Sequence, residues 1–202
     1  MSRAVDCLFA VVQMTPLLAG PFVLFGSLGT VLAAAEYVDA VNAWTPRVLT
    51  GSDWADALLF VLTWDLVGYW SHRLSHAVPA LWWLHKWHHS GTVMWPVLLY
   101  RIHPAEIVQN LLWKAPLVAL LGVPVWWAVA WTAWELWAHS GLPGNWSLGG
   151  VLVTPQYHRV HHSVLEHHHG KNYGALLQVW DWLFDTRCDA VGDFPVGLHS
   201  AD

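Results

Sequence analysis

Three histidine clusters dominate the chemistry this chain can offer: His72-Arg-Leu-Ser-His76, His85-Lys-Trp-His88-His89 and His158-Arg-Val-His161-His162. Residues three and four apart share one face of a helix, so each cluster turns two or three imidazoles in one direction. Imidazole suits iron, zinc, copper and nickel. As a neutral ligand it also brings a metal into an apolar protein without adding negative charge. Eight clustered histidines exceed what one ion needs and point to a two-metal centre. Scattered core or surface histidines explain one cluster but not three.

Helices must hold these rings. One runs from about Trp54 to His76, capped by Ser52 or Asp53, with Asp56 in its first turn. Pro79 suits the first turn of a short helix bearing His85, His88 and His89. Gly91–Arg101 reads as a loop. After His103, Pro104 and Glu106 mark another helix start. Ile107–Leu121 and Val125–Ala138 are apolar segments joined by Gly122-Val123-Pro124, and His139 follows the second. Gly141–Gly150 reads as a loop, and Thr154-Pro155 starts the helix of the third cluster. Gly170–Asp202 reads as a polar tail with one amphipathic piece, Leu176–Phe184. There is no internal repeat, so 1–202 is one domain.

The composition places these helices in a membrane. The chain is 55% hydrophobic and 11% charged, against about 25% charged in soluble domains. Its 17 tryptophans suit the membrane–water interface. Cys7–Ala35 is almost uninterrupted apolar sequence and long enough to span. A signal peptide cleaved near Ala33-Ala34-Ala35 is the competing reading. The length of the stretch and Asp6 before it argue against cleavage. The expected fold is all-α: about four transmembrane or membrane-penetrating helices in two hairpins, with a helical cap holding the metal site. Two hairpins return every cluster and both termini to one side. Eight of the nine Lys and Arg residues fall on or toward that side, and only Arg47 falls beyond. The positive-inside rule makes that side the cytoplasm.

Several classes are excluded. A formal charge of −5 without a basic stripe argues against nucleic acid. Cys7 and Cys188 stand at opposite ends, so neither a disulfide framework nor a Cys-based zinc site is expected. No Gly-rich dinucleotide fingerprint or P-loop is present. Redox electrons would therefore come from an external electron-donor protein. Soluble di-iron bundles use Glu residues with Glu-x-x-His pairs. Here the single such pair, Glu166 with His169, lies outside the clusters. A membrane zinc hydrolase would want three ligands and a Glu base, but no cluster contains Glu. A metal transporter or sensor would place ligands near the bilayer midplane, whereas these lie at helix ends.

The arrangement resembles the fatty acid hydroxylase/sterol desaturase superfamily. The likeness covers roughly 53–187 and includes Asp65-x3-Tyr69-x2-His72-Arg73-x2-His76 and Arg101-x-His103-Pro104-x-Glu106. It continues through Pro155-x2-His158-Arg159-Val160-His161-His162-Ser163, Asn172-Tyr173-Gly174 and Trp180-Asp181-Trp182-Leu183-Phe184. The resemblance implies a membrane di-iron oxygenase that hydroxylates or desaturates a sterol, fatty acyl chain or related lipid, with dioxygen as co-substrate. By motif position His72, His76, His85, His88, His89, His158, His161 and His162 would hold two iron ions. His139 resembles an additional ligand of the family. Zinc can replace iron in purified protein, because it binds such sites more tightly. No catalytic side chain is expected beyond the ligands. Where some relatives carry a histidine four residues before His139, this chain has Glu135. Asp185-Thr186 stands where the family has Gly-Thr.

Other residues invite weaker expectations. Asp65 is a carboxylate inside an apolar helix, where charge is costly and usually functional. It is expected to hold a ligand imidazole in its tautomer, against a hydrogen bond to some other polar group. Glu135 is a candidate extra ligand or supporting group. His103 reads as a helix-entry residue rather than a ligand. His167-His168-His169 reads as a solvated run, with His168 the alternative ligand. Trp127, Trp131 and Trp134 form a helical stripe suited to packing or lipid contact.

Overall fold

A computed structural model describes Ala4, Cys7 and residues 51–121, 125–142 and 150–198. The apolar span expected at Cys7–Ala35, apart from Cys7, and residues 36–50 after it lie outside the described residues. The connection 122–124 and loop residues 143–149 also lie outside them. The described residues are helical. Extended pairing is limited to isolated bridges, Leu152 with Leu177 and Ser163 with Val196.

Helix α1 spans Asp53–Ala77, with Asp53 and Asp56 at its positive end. Ser52 is its N-cap residue but makes no side-chain cap bond. Val78 is extended (φ −99°, ψ 118°), as a residue before proline should be. That break stops α1 and lets α2, Pro79–His89, start on Pro79 and pack back against it. The segment 91–101 is not all irregular: Pro96–Tyr100 forms a 3-10 turn that buries Leu98 against Gly91. It is locked by Arg101, whose Nε donates to Trp87 O at 3.0 Å and Ser90 Oγ at 2.8 Å. Helix α3 covers Pro104–Leu121 and α4 covers Val125–Ala138. Helix α5, Pro155–His161, is capped by Thr154, whose Oγ1 accepts from Tyr157 N at 3.2 Å. A 3-10 turn at Glu166–His168 and short α6, Val179–Leu183, complete the described elements.

The 3.6-residue period of α1 decides what each face meets. Asp65, Tyr69, His72 and His76 share the face that meets 172–186. Ser71 and Ser75 turn toward α3, where Ser71 Oγ donates to Asn110 Oδ1 at 3.3 Å and Gln109 Nε2 donates to Ser75 Oγ at 2.8 Å. Phe60 and Trp131 form an apolar cluster with Val61 and Trp64. The Trp stripe of α4 therefore packs inward where it is described, and Trp134 Nε1 donates to Ala175 O at 3.2 Å. The side chain of Trp127 lies outside the described residues.

One expectation needs adjustment. The stretch after Gly170 is not a solvated tail: Asn172, Tyr173, Gln178, Asp181 and Thr186 are buried. Most of their polar groups tolerate burial because they are paired, as Asp181 and Thr186 are with each other. Asn172 Nδ2 donates to Tyr157 O and Cys188 O, and its Oδ1 accepts from Cys188 N. Among the described residues, no helix is long and apolar enough to cross a membrane.

Candidate metal centre

All nine histidines named above as ligands converge, and they do so in two groups. His72, His76, His85, His89 and His161 form one, and His88, His139, His158 and His162 form the other. Within each group the candidate ligand nitrogens lie within 4.8 Å of one another. The partition follows helix geometry. At about 100° per residue, pairs four apart stay on one face: His72 with His76, His85 with His89, His158 with His162. The ring three along crosses to the other group, as His88 and His161 do. Each of the two dense clusters thus serves both groups.

The tautomers follow from the partners. His72 Nδ1 donates to Tyr173 O at 3.0 Å, His139 Nδ1 to Glu135 O at 2.7 Å, and His161 Nδ1 to Lys171 O at 2.9 Å. A carbonyl can only accept, so each Nδ1 carries the proton and each Nε2 a lone pair. Those lone pairs point inward. His139 Nε2 lies 2.9 Å from His158 Nε2 and 3.1 Å from His88 Nε2. His161 Nε2 lies 3.1 Å from His89 Nε2, which lies 3.2 Å from His85 Nε2. His72 Nε2 and His76 Nε2 are buried without a hydrogen-bond partner.

Lone pairs that converge in a dry interior repel unless a cation sits among them. Two nitrogens each about 2.1 Å from one ion stand about 3 Å apart at right angles, which fits the spacings here. Burial supplies the protonation state that metal binding needs. It lowers His139 to about 4 and His161 to about 3, and drives His88, His89, His158 and His162 well below the usual imidazole range. Proximity to one another pushes the same way. The rings are neutral near pH 7 and ready to bind a divalent metal.

Residues 57–186 match the family Fatty acid hydroxylase. The chain belongs to that family. The fatty acid hydroxylase match is supported by individual relatives. Alkylglycerol monooxygenase of Homo sapiens is 31% identical over 150 residues, covering 66% of this chain and 34% of that protein. An ornithine lipid hydroxylase of Rhizobium tropici is 35% identical over 124 residues, 58% of this chain and 37% of its own. A fatty acid hydroxylase of a Lecanicillium species is 30% identical over 166 residues, 70% and 44% respectively. The chain thus matches between about a third and under a half of the length of these relatives. No solved structure matches.

The supporting residues only partly match expectation. Asp65 does not hold an imidazole. Its carboxylate accepts from Leu176 N at 3.0 Å, Leu177 N at 2.9 Å and Trp180 Nε1 at 2.9 Å. It pins the segment beyond Tyr173 instead, because the backbone there would otherwise leave buried N–H groups unpaired. Asp181 pins the same segment from below, accepting from Tyr173 N and Gly174 N. Glu135 supports His139 with its backbone carbonyl, and its side chain belongs to neither histidine group. His103 is a helix-entry residue: its Nδ1 accepts from Ala105 N at 3.1 Å and its ring lies against Trp83 and Trp87. His168 is buried rather than solvated, against Phe194, and belongs to neither group.

Glu106 carries the imidazole-holding role expected of Asp65. It accepts from His85 Nδ1 at 2.6 Å, and both side chains are buried. In the sequence it read as a helix-dipole residue. Its place in Arg101-x-His103-Pro104-x-Glu106, one block of the resemblance, was the available signal.

Two cavities reach the histidines. One of about 300 Å³ lies among α1, α3 and α4 and touches both groups, through His72, His85, His88, His139 and His158. The other, of about 390 Å³, touches only the first group, through His76, His89 and His161.

Proposed function

We propose that this chain hydroxylates a lipid with dioxygen at a two-iron centre held by the nine histidines. The observation that carries the reading is the convergence of nine imidazoles in two adjacent groups, with Nδ1 of His72, His139 and His161 donating to carbonyls so that their Nε2 lone pairs face inward. Membership of the fatty acid hydroxylase family, and relatives named as lipid hydroxylases and monooxygenases, support hydroxylation over desaturation.

Iron bound there supplies what side chains lack, reduction of dioxygen and oxidation of an unactivated C–H bond. The protein does the rest. Tyr173, Lys171 and Glu135 fix ring tautomers through their carbonyls, and Glu106 fixes His85. Asp65 and Asp181 hold the strand of chain that presents the Tyr173 carbonyl. The cavity touching both groups admits the substrate and keeps bulk water away. Hydroxylation consumes dioxygen, two electrons and two protons, and yields the alcohol and water. The chain shows no Gly-rich dinucleotide fingerprint or P-loop, which favours electrons supplied by a separate donor protein. The apolar run Cys7–Ala35 and the charge bias support a membrane protein with its metal site on the cytoplasmic face.

The test is lipid profiling of cells with and without the protein under oxygen-18 gas. A lipid that gains one labelled hydroxyl only in the presence of the protein is the expected result. An unchanged lipid profile with folded, metal-loaded protein contradicts it.

A further inference from the structure

The cavity of about 390 Å³ shares no lining residue with the one among α1, α3 and α4. His76, His89 and His161 of the first histidine group line it, and no member of the second group does. His76 Nε2 is buried without a hydrogen-bond partner. Ser163 and Tyr173 add hydroxyls to the lining, which holds neither Lys nor Arg. Lys171 is close in sequence, but its Nζ donates to Asp185 O at 3.4 Å.

This cavity also reaches the surface. His169 and Gly170 line it, and both are exposed. Gly170 has φ +71°, a turn that glycine makes without strain. A Cβ there would stand 3.6 Å from Tyr173 Oη, so this turn and the inner wall bound one space. Glu166, exposed one 3-10 turn before His169, adds negative charge, which raises the local concentration of cations. One imidazole at the mouth and three within form a series of ligands for a divalent ion. An ion with six waters occupies roughly 180 Å³ at about 30 Å³ per water, so the cavity has room for it. The other cavity suits an ion less. Lys114 lines it, and its helices α1 and α3 expose Leu58, Val108 and Leu112 outward.

We propose that the 390 Å³ cavity is the entry by which a divalent metal ion reaches the first histidine group, with His169 at its mouth as a transient ligand. The ion exchanges water for imidazole at His169, then at His76, His89 and His161. The second group has no ligand on this cavity, so its ion loads and leaves more slowly. The proposal rests on the two-metal reading above and adds the route and order of loading.

The experiment mixes the metal-free full chain with Co²⁺ and follows the visible absorption of histidine-bound cobalt in time. Removal by a chelator is followed in the same way. Wild type should bind two ions in two phases. His139→Gln takes a ligand from the second group and should keep the fast phase. His169→Gln should slow the fast phase about fivefold or more and leave the final cobalt content unchanged. Leu198→Trp, which narrows the cavity from another segment, should do the same, since Leu198 lines it and is half-buried. His167→Gln, exposed and outside the lining, should load like wild type. Wild-type rates in both His169→Gln and Leu198→Trp overturn the entry, as does equal slowing by His167→Gln. In each of those cases two bound cobalt ions leave the two-metal reading intact. Saturation at one cobalt per folded chain instead sinks that reading, and the contrast between the groups falls with it.

Discussion

Glu106 Oε1 stands 2.6 Å from Nδ1 of His85, with both side chains buried. A carboxylate in this place fixes ring orientation and raises the basicity of the nitrogen that faces the metal. Removing such a partner typically costs 10–100-fold in metal affinity or activity. Glu106→Ala should therefore lower occupancy of the first group and reduce turnover by about that factor. Glu106→Gln, which still accepts from Nδ1, should lose less. Metal content per chain and initial rate check this, and wild-type values for Glu106→Ala would refute the role.

Asp65 should behave differently. It anchors Leu176, Leu177 and Trp180 and touches no ligand ring. Asp65→Asn replaces one accepting oxygen with a donor that faces another donor. The expected loss is about 1–3 kcal/mol of stability, seen as a lower thermal midpoint with both metals retained at low temperature. An unchanged midpoint, or selective loss of metal without destabilisation, would contradict the anchoring role.

These two carboxylates show what the sequence made legible. Helix starts at Pro79, Pro104 and Thr154-Pro155 were readable because caps and N1 prolines act locally. The histidine spacing likewise displayed the convergence within each cluster. How the clusters divide was not readable, since it depends on how α1, α2 and α5 face one another. Nor was the burial of 172–186 readable. Asn172, Asp181 and Gln178 look like solvent-facing residues until their backbone partners, contributed from elsewhere in the chain, are known. Asp65 was singled out correctly as costly to bury, but local pattern could not say whether its partner was an imidazole or a peptide.

Acid should destabilise the metal-free protein. Unfolded imidazoles titrate near 6.5, whereas folded His139 and His161 titrate at about 4 and about 3. Between those values the unfolded chain binds more protons, so stability is full above about 6.5 and falls as pH drops toward 4 and 3. Thermal unfolding of chelator-treated protein across this window should show a falling midpoint. Bound metal should also be released over the same window, as protons compete for Nε2. A midpoint that rises on acidification would contradict burial of neutral rings.

His161 and the run His167–His169 should separate cleanly. His161 belongs to the first group, while His168 packs on Phe194 and lies outside both groups. His161→Gln should abolish turnover without loss of the folded protein. Replacing His167, His168 and His169 together with Gln should keep most activity and lower stability modestly, because His168 is buried. A triple variant that is folded, metal-poor and inactive would place a missing ligand in that run.

The proposed two-metal centre is tested most directly by counting metal. Protein purified from iron-supplemented cells should carry two metal ions per chain by elemental analysis, one for each histidine group. A reproducible value of one or fewer, in protein whose fold is intact, would contradict the account.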